Sequence, residues 1–317
     1  MDIGNVLKDH GVGIGKYGTG KTIHDYNLQE VYYQSVVNTF PQSYEVWRCN
    51  IAIDKDNAIW FSDGTSLFKM DSAGNQLLKI DHDGICDIIA YNDSIFTRRS
   101  YGRITCYNLS GIKIWEKSYE GYTEGFYLDT TSTIRYLYTS YSDKNGRYIM
   151  KISMSGQDTV YATMSSDSSY TIYAIRPNAI YYTRYKTLYK DYLPSVTAAW
   201  NYPTNEYSRY IAVDKSDNVY HGFGKKLYKF DKNGNVLWSK NNAGEGLIDY
   251  IFLDYRGFIY ALSNNSYINK YDSNGLITKS IYVPYTLGYL ISNEKDFIYV
   301  TAGSNVIKYN FSYKVIS

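Results

Sequence analysis

The residues that most resemble chemical machinery begin at Gly15. Gly15-Lys16-Tyr17-Gly18-Thr19-Gly20-Lys21-Thr22 satisfies G-x-x-x-x-G-K-[ST] letter for letter. In that pattern backbone amides cradle phosphates, the lysine reaches the outer ones and the hydroxyl holds magnesium. It works only with a buried hydrophobic strand before it and a helix after it. Here KDHGVGI precedes it and strand-type repeats follow, so the match reads as a glycine-rich arm and no nucleotide is expected. Histidines are the next candidates for acid–base or metal work. His82 lies in Asp81-His82-Asp83-Gly84, but no distal glutamate completes a calcium-loop pattern. His221 sits inside a strand-type run and reads as an interior residue. No paired-carboxylate signature, HExxH or G-x-S-x-G elbow is present, so no catalytic residue, metal or cofactor is assigned.

One cluster has the composition of a binding surface. Arg98, Arg99, Tyr101 and Arg103 form the densest basic and aromatic group in the chain, and Tyr122 follows at the start of the next repeat. Arginine and tyrosine are the types enriched where binding energy concentrates. The cluster is expected in a loop between the second and third strands of its unit, on the face that also carries the connections between units. The alternative is a solvated loop with ordinary charges.

These candidates are positioned by a repeat. Residues 211–238, IAVDKSDNVYHGFGKKLYKFDKNGNVLW, return at 51–78 with 11 of 28 residues identical, and a further copy begins at Ile251 with its aspartate Asp254. The offset of 160 residues is four periods of about 40, the mark of a repeat architecture. In the fifth copy the apolar runs Tyr210–Val213, Val219–Phe223, Leu227–Phe230 and Val236–Ser239 alternate with turn residues, as four short strands do. The aspartates Asp54, Asp129, Asp214 and Asp254 recur just after the first strand, and a second set, Asp71, Asp231 and Asp272, recurs three residues before a glycine. A fold needs a turn in each repeat whereas catalysis needs its site once, so they read as turn caps.

Four-stranded units with no helix between them predict an all-β chain. The expected form is a single β-propeller of four-stranded antiparallel blades. Seven blades are expected, at about 47–84, 85–120, 121–165, 166–205, 206–245, 246–284 and 285–317, with eight if residues 1–46 form a degenerate blade. The other reading of 1–46 is an attachment arm whose strand 28–37 adds to a partner's sheet edge, with Val31 and Tyr33 supplying specificity. The motif of apolar-Ala-apolar-Asp followed by L-x-K-x-D-x-x-G-N resembles the NHL-type repeat, and GNVLW (234–238) with GIKIW (111–115) resembles PQQ-like repeats. The resemblance covers most of 47–317 and implies the fold. Families with these repeats include lyases, scaffolds and receptors, so it implies no single activity.

Composition narrows the classes. Charge is nearly balanced, 33 basic against 31 acidic residues, so nucleic acid is not an expected partner. Three cysteines make no disulfide framework or zinc site. No run of about 18 apolar residues suggests a membrane span, and MDIGNVLKDHGVGIG lacks a basic stretch followed by an apolar run, so no signal peptide is read. Tyrosine is the outlier at 39 of 317 residues, many of them in loops, either by compositional drift or for contact. The reading is a non-enzymatic recognition module, a cell-surface or phage-tail-like component made in the cytoplasm and incorporated into a particle, binding glycan or protein. The alternative is a propeller lyase or hydrolase with its site at the central channel mouth.

Overall fold

The computed structural model describes the chain from residue 51 to residue 310, apart from positions 73, 83, 100, 130–131, 165–169, 185, 205–207, 243–245, 255, 264–266, 283–286, 293–296 and 303–304. The described residues form antiparallel sheets in chain order. Blade 1 holds β1 (Ala52–Ile53), β2 (Ile59–Ser62), β3 (Ser66–Met70) and β4 (Gln76–Asp81). Blade 2 holds β5 (Ile85–Tyr91), β6 (Ser94–Arg99), β7 (Arg103–Asn108) and β8 (Lys113–Ser118). Blade 3 holds β9 (Tyr122–Leu128), β10 (Tyr136–Asp143), β11 (Gly146–Ser153) and β12 (Asp158–Met164). Blade 4 holds β13 (Tyr170–Arg176), β14 (Ala179–Arg184), β15 (Thr187–Tyr192) and β16 (Thr197–Pro203). Blade 5 holds β17 (Ser208–Val213), β18 (Val219–Phe223), β19 (Lys226–Phe230) and β20 (Val236–Asn241). Blade 6 holds β21 (Ile248–Leu253), β22 (Ile259–Ser263), β23 (Tyr267–Tyr271) and β24 (Ile277–Tyr282). A last sheet has three strands, β25 (Leu287–Ser292), β26 (Phe297–Ala302) and β27 (Asn305–Asn310).

The chain is therefore an all-β propeller with four-stranded antiparallel blades, and against the expected seven or eight the described residues form six such blades. The physical difference lies in the last sheet, where three strands pair. The fourth strand expected at 314–316, and the arm or degenerate blade expected at 1–46 with Val31 and Tyr33, lie outside the described residues. The three-stranded sheet still packs in the ring. Tyr299 and Ile291 bury against Ile51, Ile59, Phe61 and Met70 of blade 1, so the last sheet meets the first face to face.

Burial follows from strand position. Second strands are mostly apolar and fully covered, as in β2, β18 and β22, because both faces meet a neighbouring blade. Fourth strands alternate exposed and half-buried residues, as in β4, β8 and β20, because their outer edge faces solvent. First strands of successive blades lie against one another, so they ring the axis. Most of them carry a bulge. The extra residue is Cys86 in β5, Gly125 in β9, Tyr173 in β13, Arg209 in β17 and Asp249 in β21. Bulges bend a strand and increase its twist, here near the start of β5, β17 and β21 and in the middle of β9 and β13.

Candidate functional site

The recurring residues come together on the side of the propeller that carries the first-to-second and third-to-fourth turns, and there they hold blades to one another. Asp54 accepts from the backbone N–H of Asp56 and Ala58 at 2.9 Å and from Trp60 Nε1 at 2.9 Å. Asp214 accepts from Ser216, Asn218 and the Tyr220 hydroxyl, and Asp254 from Arg256, Phe258 and the Tyr260 hydroxyl. The same carboxylate thus closes a turn and anchors the aromatic six residues on. Burial and the adjacent carboxylate push the Tyr220 and Tyr260 hydroxyls up in pKa, so both stay protonated donors.

A second device links successive blades. Trp200 Nε1 and Lys190 Nζ of blade 4 both donate to Lys232 O in the third-to-fourth turn of blade 5, at 3.1 and 3.0 Å. Trp238 and Lys229 of blade 5 donate to Ser273 O of blade 6, and Trp115 of blade 2 to Met154 O of blade 3. The turn glycine lies flat under the indole. A Cβ on Gly234 would stand 2.8 Å from the Trp200 ring. The second set of aspartates shapes these turns, as Asp231 does by accepting from the backbones of Asn233 and Asn235 and from Asn235 Nδ2.

The opposite side is built from second-to-third turns and interblade connections, which hydrogen-bond directly. Gly84 N donates to Gly64 O at 2.7 Å, Tyr119 N to Gly102 O at 2.6 Å and Asn242 N to Lys225 O at 2.7 Å. Here the chain does not repeat itself. The described tips of blades 1 and 5 are Gly64-Thr65 and Gly224-Lys225, whereas blade 2 presents Tyr101-Gly102. Gly102 must be glycine, since its φ is +68° and a Cβ would fall 2.3 Å from Tyr119 O. That approach presses the tip against the connection and places Tyr101, 76% exposed, beside Tyr122, 57% exposed. Their ring centroids are 5.4 Å apart at a 45° tilt.

The other members of the cluster separate. Arg98 ends up inside, where its Nε meets Asp87 Oδ2 at 2.5 Å and its Nη1 donates to the Thr123 carbonyl. Burial works against its charge, but Asp87 outweighs it and the guanidinium pKa is raised. Arg98 thus ties β6 to the first strand of blade 3. Arg99, at the end of β6, is half-buried and its carbonyl accepts from the Thr123 hydroxyl at 2.7 Å. Arg103 opens β7, partly exposed, with Nε 3.7 Å from Glu116.

Around the exposed pair stand residues that the sequence did not single out as a site. Tyr119 and Tyr141 pack at 5.3 Å, and Tyr141 and Tyr148 at 5.9 Å. Tyr141 donates to Asp143 at 3.2 Å, and Arg147 pairs with Glu124 at 3.2 Å. The long strands β10 and β11, joined by a tight turn at 144–145, carry these groups up to the junction. The signal available in sequence was the crowding of Tyr119, Tyr122 and Tyr141 into expected loops, although Tyr122 opens β9 and Tyr141 lies within β10. Their convergence with Glu124 and Arg147 depends on the neighbouring blade. The two weighed histidines do not join the site: His221 is fully buried in β18 beside Phe223, and His82 packs its edge on Tyr107. Among the described residues no group of three or more His, Cys, Asp or Glu is placed to hold a metal, and no helix is long and apolar enough to cross a membrane. The Gly15–Thr22 match lies outside the described residues.

No family model and no curated protein matches the sequence. Solved structures do match. A streptogramin B lyase superposes with a TM-score of 0.67 at 12% identity, covering 89% of this chain and 97% of that one. BamB from Moraxella catarrhalis superposes with a TM-score of 0.56 at 12% identity over 83% and 84%. KlHsv2 with its loop 6CD replaced by a Gly-Ser linker gives 0.62 at 9% identity over 84% and 94%. At these identities the likeness establishes the β-propeller fold and nothing of the chemistry.

Proposed function

We propose that this propeller is a non-enzymatic recognition module, a component of a cell surface or of a phage-tail-like particle, that binds glycan or protein through the face carrying the second-to-third turns. The observation that supports it is the Tyr101–Tyr122 pair, two large side chains left in solvent where the equivalent described turns of blades 1 and 5 are small or polar. A soluble chain gains nothing in stability from leaving such rings exposed, while rigid aromatic side chains lose little entropy when they bind. Arg99 and Arg103 flank the pair as polar contacts, and Arg98 serves it from beneath by fixing β6 to blade 3. Residues 1–46 act as the attachment arm, with Val31 and Tyr33 on the strand that meets the partner. The alternative of a lyase or hydrolase would need an acid–base group at the channel mouth, and His221 is instead sealed within the sheets.

The test is a pull-down on bacterial cell-wall and cell-surface preparations together with a glycan array. Tyr101→Ala and Tyr122→Ala are each expected to weaken binding about tenfold, and Arg103→Ala less. Binding unchanged in both tyrosine variants would remove this face from the proposal.

A further inference from the structure

Resting on the reading of this face as the recognition surface, we infer that the junction of blades 2 and 3 takes a neutral carbohydrate chain, with one sugar ring seated on the Tyr101–Tyr122 pair. The ring geometry comes first. The two phenol rings sit at 5.4 Å and 45°, both mostly exposed, so they form an open, shallow V rather than a closed stack. The face of an aromatic ring carries partial negative charge. The C–H hydrogens on the less polar side of a pyranose carry the complementary charge and match its area.

The polar groups beside the V suit hydroxyls. Glu120 is exposed within the connection that leads to Tyr122, and Glu124 is 44% exposed with Arg147 at 3.2 Å. Arg103 is partly exposed and oriented by Glu116. A sugar hydroxyl donates and accepts at once, so a carboxylate and a guanidinium beside one ring satisfy it from both sides. The charged residues of this junction balance in sign, Arg99, Arg103, Lys144 and Arg147 against Glu116, Glu120, Glu124 and Asp143. A polyanion or polycation gains little from such a mixture, whereas a neutral chain loses nothing to it.

A protein surface fits this junction less well. Most exposed aliphatic side chains among the described residues, such as Leu77, Ile112, Ile114, Val160, Leu237 and Leu276, lie on fourth strands and the turns that lead into them, while Ile134 is on the first-to-second turn of blade 3 and Leu247 on the connection between blades 5 and 6. The junction offers rings and charges without the aliphatic centre that protein interfaces bury. It is also held in place in advance. Tyr119 N bonds Gly102 O, and Arg98 ties β6 to Thr123, so little ordering remains for a ligand to induce.

Affinity electrophoresis in native gels containing a soluble glucan, a mannan, a galactan or a xylan tests the class, with polygalacturonate as the polyanionic comparison. At least one neutral polymer is expected to retard the protein. Tyr101→Ala and Tyr122→Ala should each lower that affinity about tenfold or more, while Tyr101→Phe keeps it, because the ring face and not the hydroxyl makes the contact. Retardation by polygalacturonate alone, by no neutral polymer, or equally in Tyr101→Ala would overturn the carbohydrate assignment. If the surface pull-down is still lost in the alanine variants while no neutral polymer binds, the face stands and the ligand class falls. If the pull-down is unchanged in them, the face itself falls.

Discussion

The two sides of this propeller are made from the same strands and differ in how far they repeat. On the side of the third-to-fourth turns, most blades use one set of parts: a side chain that caps the turn, aspartate in blades 1, 5 and 6, Asn108 in blade 2 and Ser153 in blade 3, with a glycine at positive φ, and in blades 2, 3, 5 and 6 a Trp or Lys of the preceding blade donating to a turn carbonyl. On the side of the second-to-third turns the described tips differ, Gly64-Thr65 and Gly224-Lys225 in blades 1 and 5 against Tyr101-Gly102 in blade 2, and among the described residues it is the junction of blades 2 and 3 that combines exposed tyrosines with charged neighbours. A ring of similar sheets needs the same joint at every interface, so repetition marks the residues that hold the ring. A ligand needs its contacts once, so departure from the repeat marks the candidate site.

The strongest way to break that contrast is to substitute the same residue type on both sides. Gly234 and Gly64 have nearly the same backbone conformation, φ +89° and +86°. A methyl on Gly234 would meet the Trp200 ring at 2.8 Å, whereas one on Gly64 meets nothing within 4 Å. Gly64→Ala then carries only the left-handed backbone penalty, about 1 kcal/mol. Gly234→Ala adds overpacking at the blade 4–blade 5 joint and is expected to cost about 3 kcal/mol. Urea denaturation of the two variants measures the difference. Equal losses would show that the glycine–indole contact does not hold the blades together.

The two sides were not equally legible in the sequence. Recurrence alone pointed to Asp54, Asp214 and Asp254 as turn caps, and each does cap its turn, because the hydrogen bonds involved span only two to four residues. The strand runs of the fifth copy likewise fall within β17 to β20. The Trp at the end of GNVLW was visible as a motif, but its acceptor, Ser273 O, is supplied by another blade 35 residues on, a pairing fixed only by ring geometry. Arg98 shows the same limit on the other side. Read as one loop cluster with Arg99, Tyr101 and Arg103, it belongs to β6, and strand alternation turns it inward to Asp87 and Thr123. The last sheet, with three paired strands, departs from a count that assumed each repeat completes itself.

A middle-sized effect sharpens the account of the repeated side. Blade 4 lacks the turn aspartate, having Arg176-Pro177-Asn178 at its first-to-second turn, and the buried hydroxyl of Tyr181 has no hydrogen-bond partner among the described residues. Its counterpart Tyr220 donates to Asp214 at 3.2 Å. Tyr220→Phe deletes a made bond and is expected to lose about 1 kcal/mol. Tyr181→Phe deletes an unmade one and should be neutral or slightly stabilising. Thermal unfolding of the pair separates them, and a loss in Tyr181→Phe as large as in Tyr220→Phe would mean that the aspartate is not what the aromatic position is built to meet.

The smallest expected change is the one that bears most on function. If the residues that break the repeat are there for a ligand, removing them should leave the fold as it was. Tyr101 and Tyr122 keep most of their surface in solvent, and the ring contact they share is with each other. Tyr101→Ala and Tyr122→Ala forfeit one partly exposed aromatic contact, and each is expected to change stability by less than about 0.5 kcal/mol, the usual range for surface positions. Arg98→Ala is the internal comparison: it removes the buried ion pair with Asp87 and unties β6 from blade 3, so it should lose several times more. Calorimetric unfolding of the three variants puts the two roles side by side. A large loss from either tyrosine would make the pair another blade joint, and the distinction between the two sides of the ring would disappear at the one junction where it points to a site.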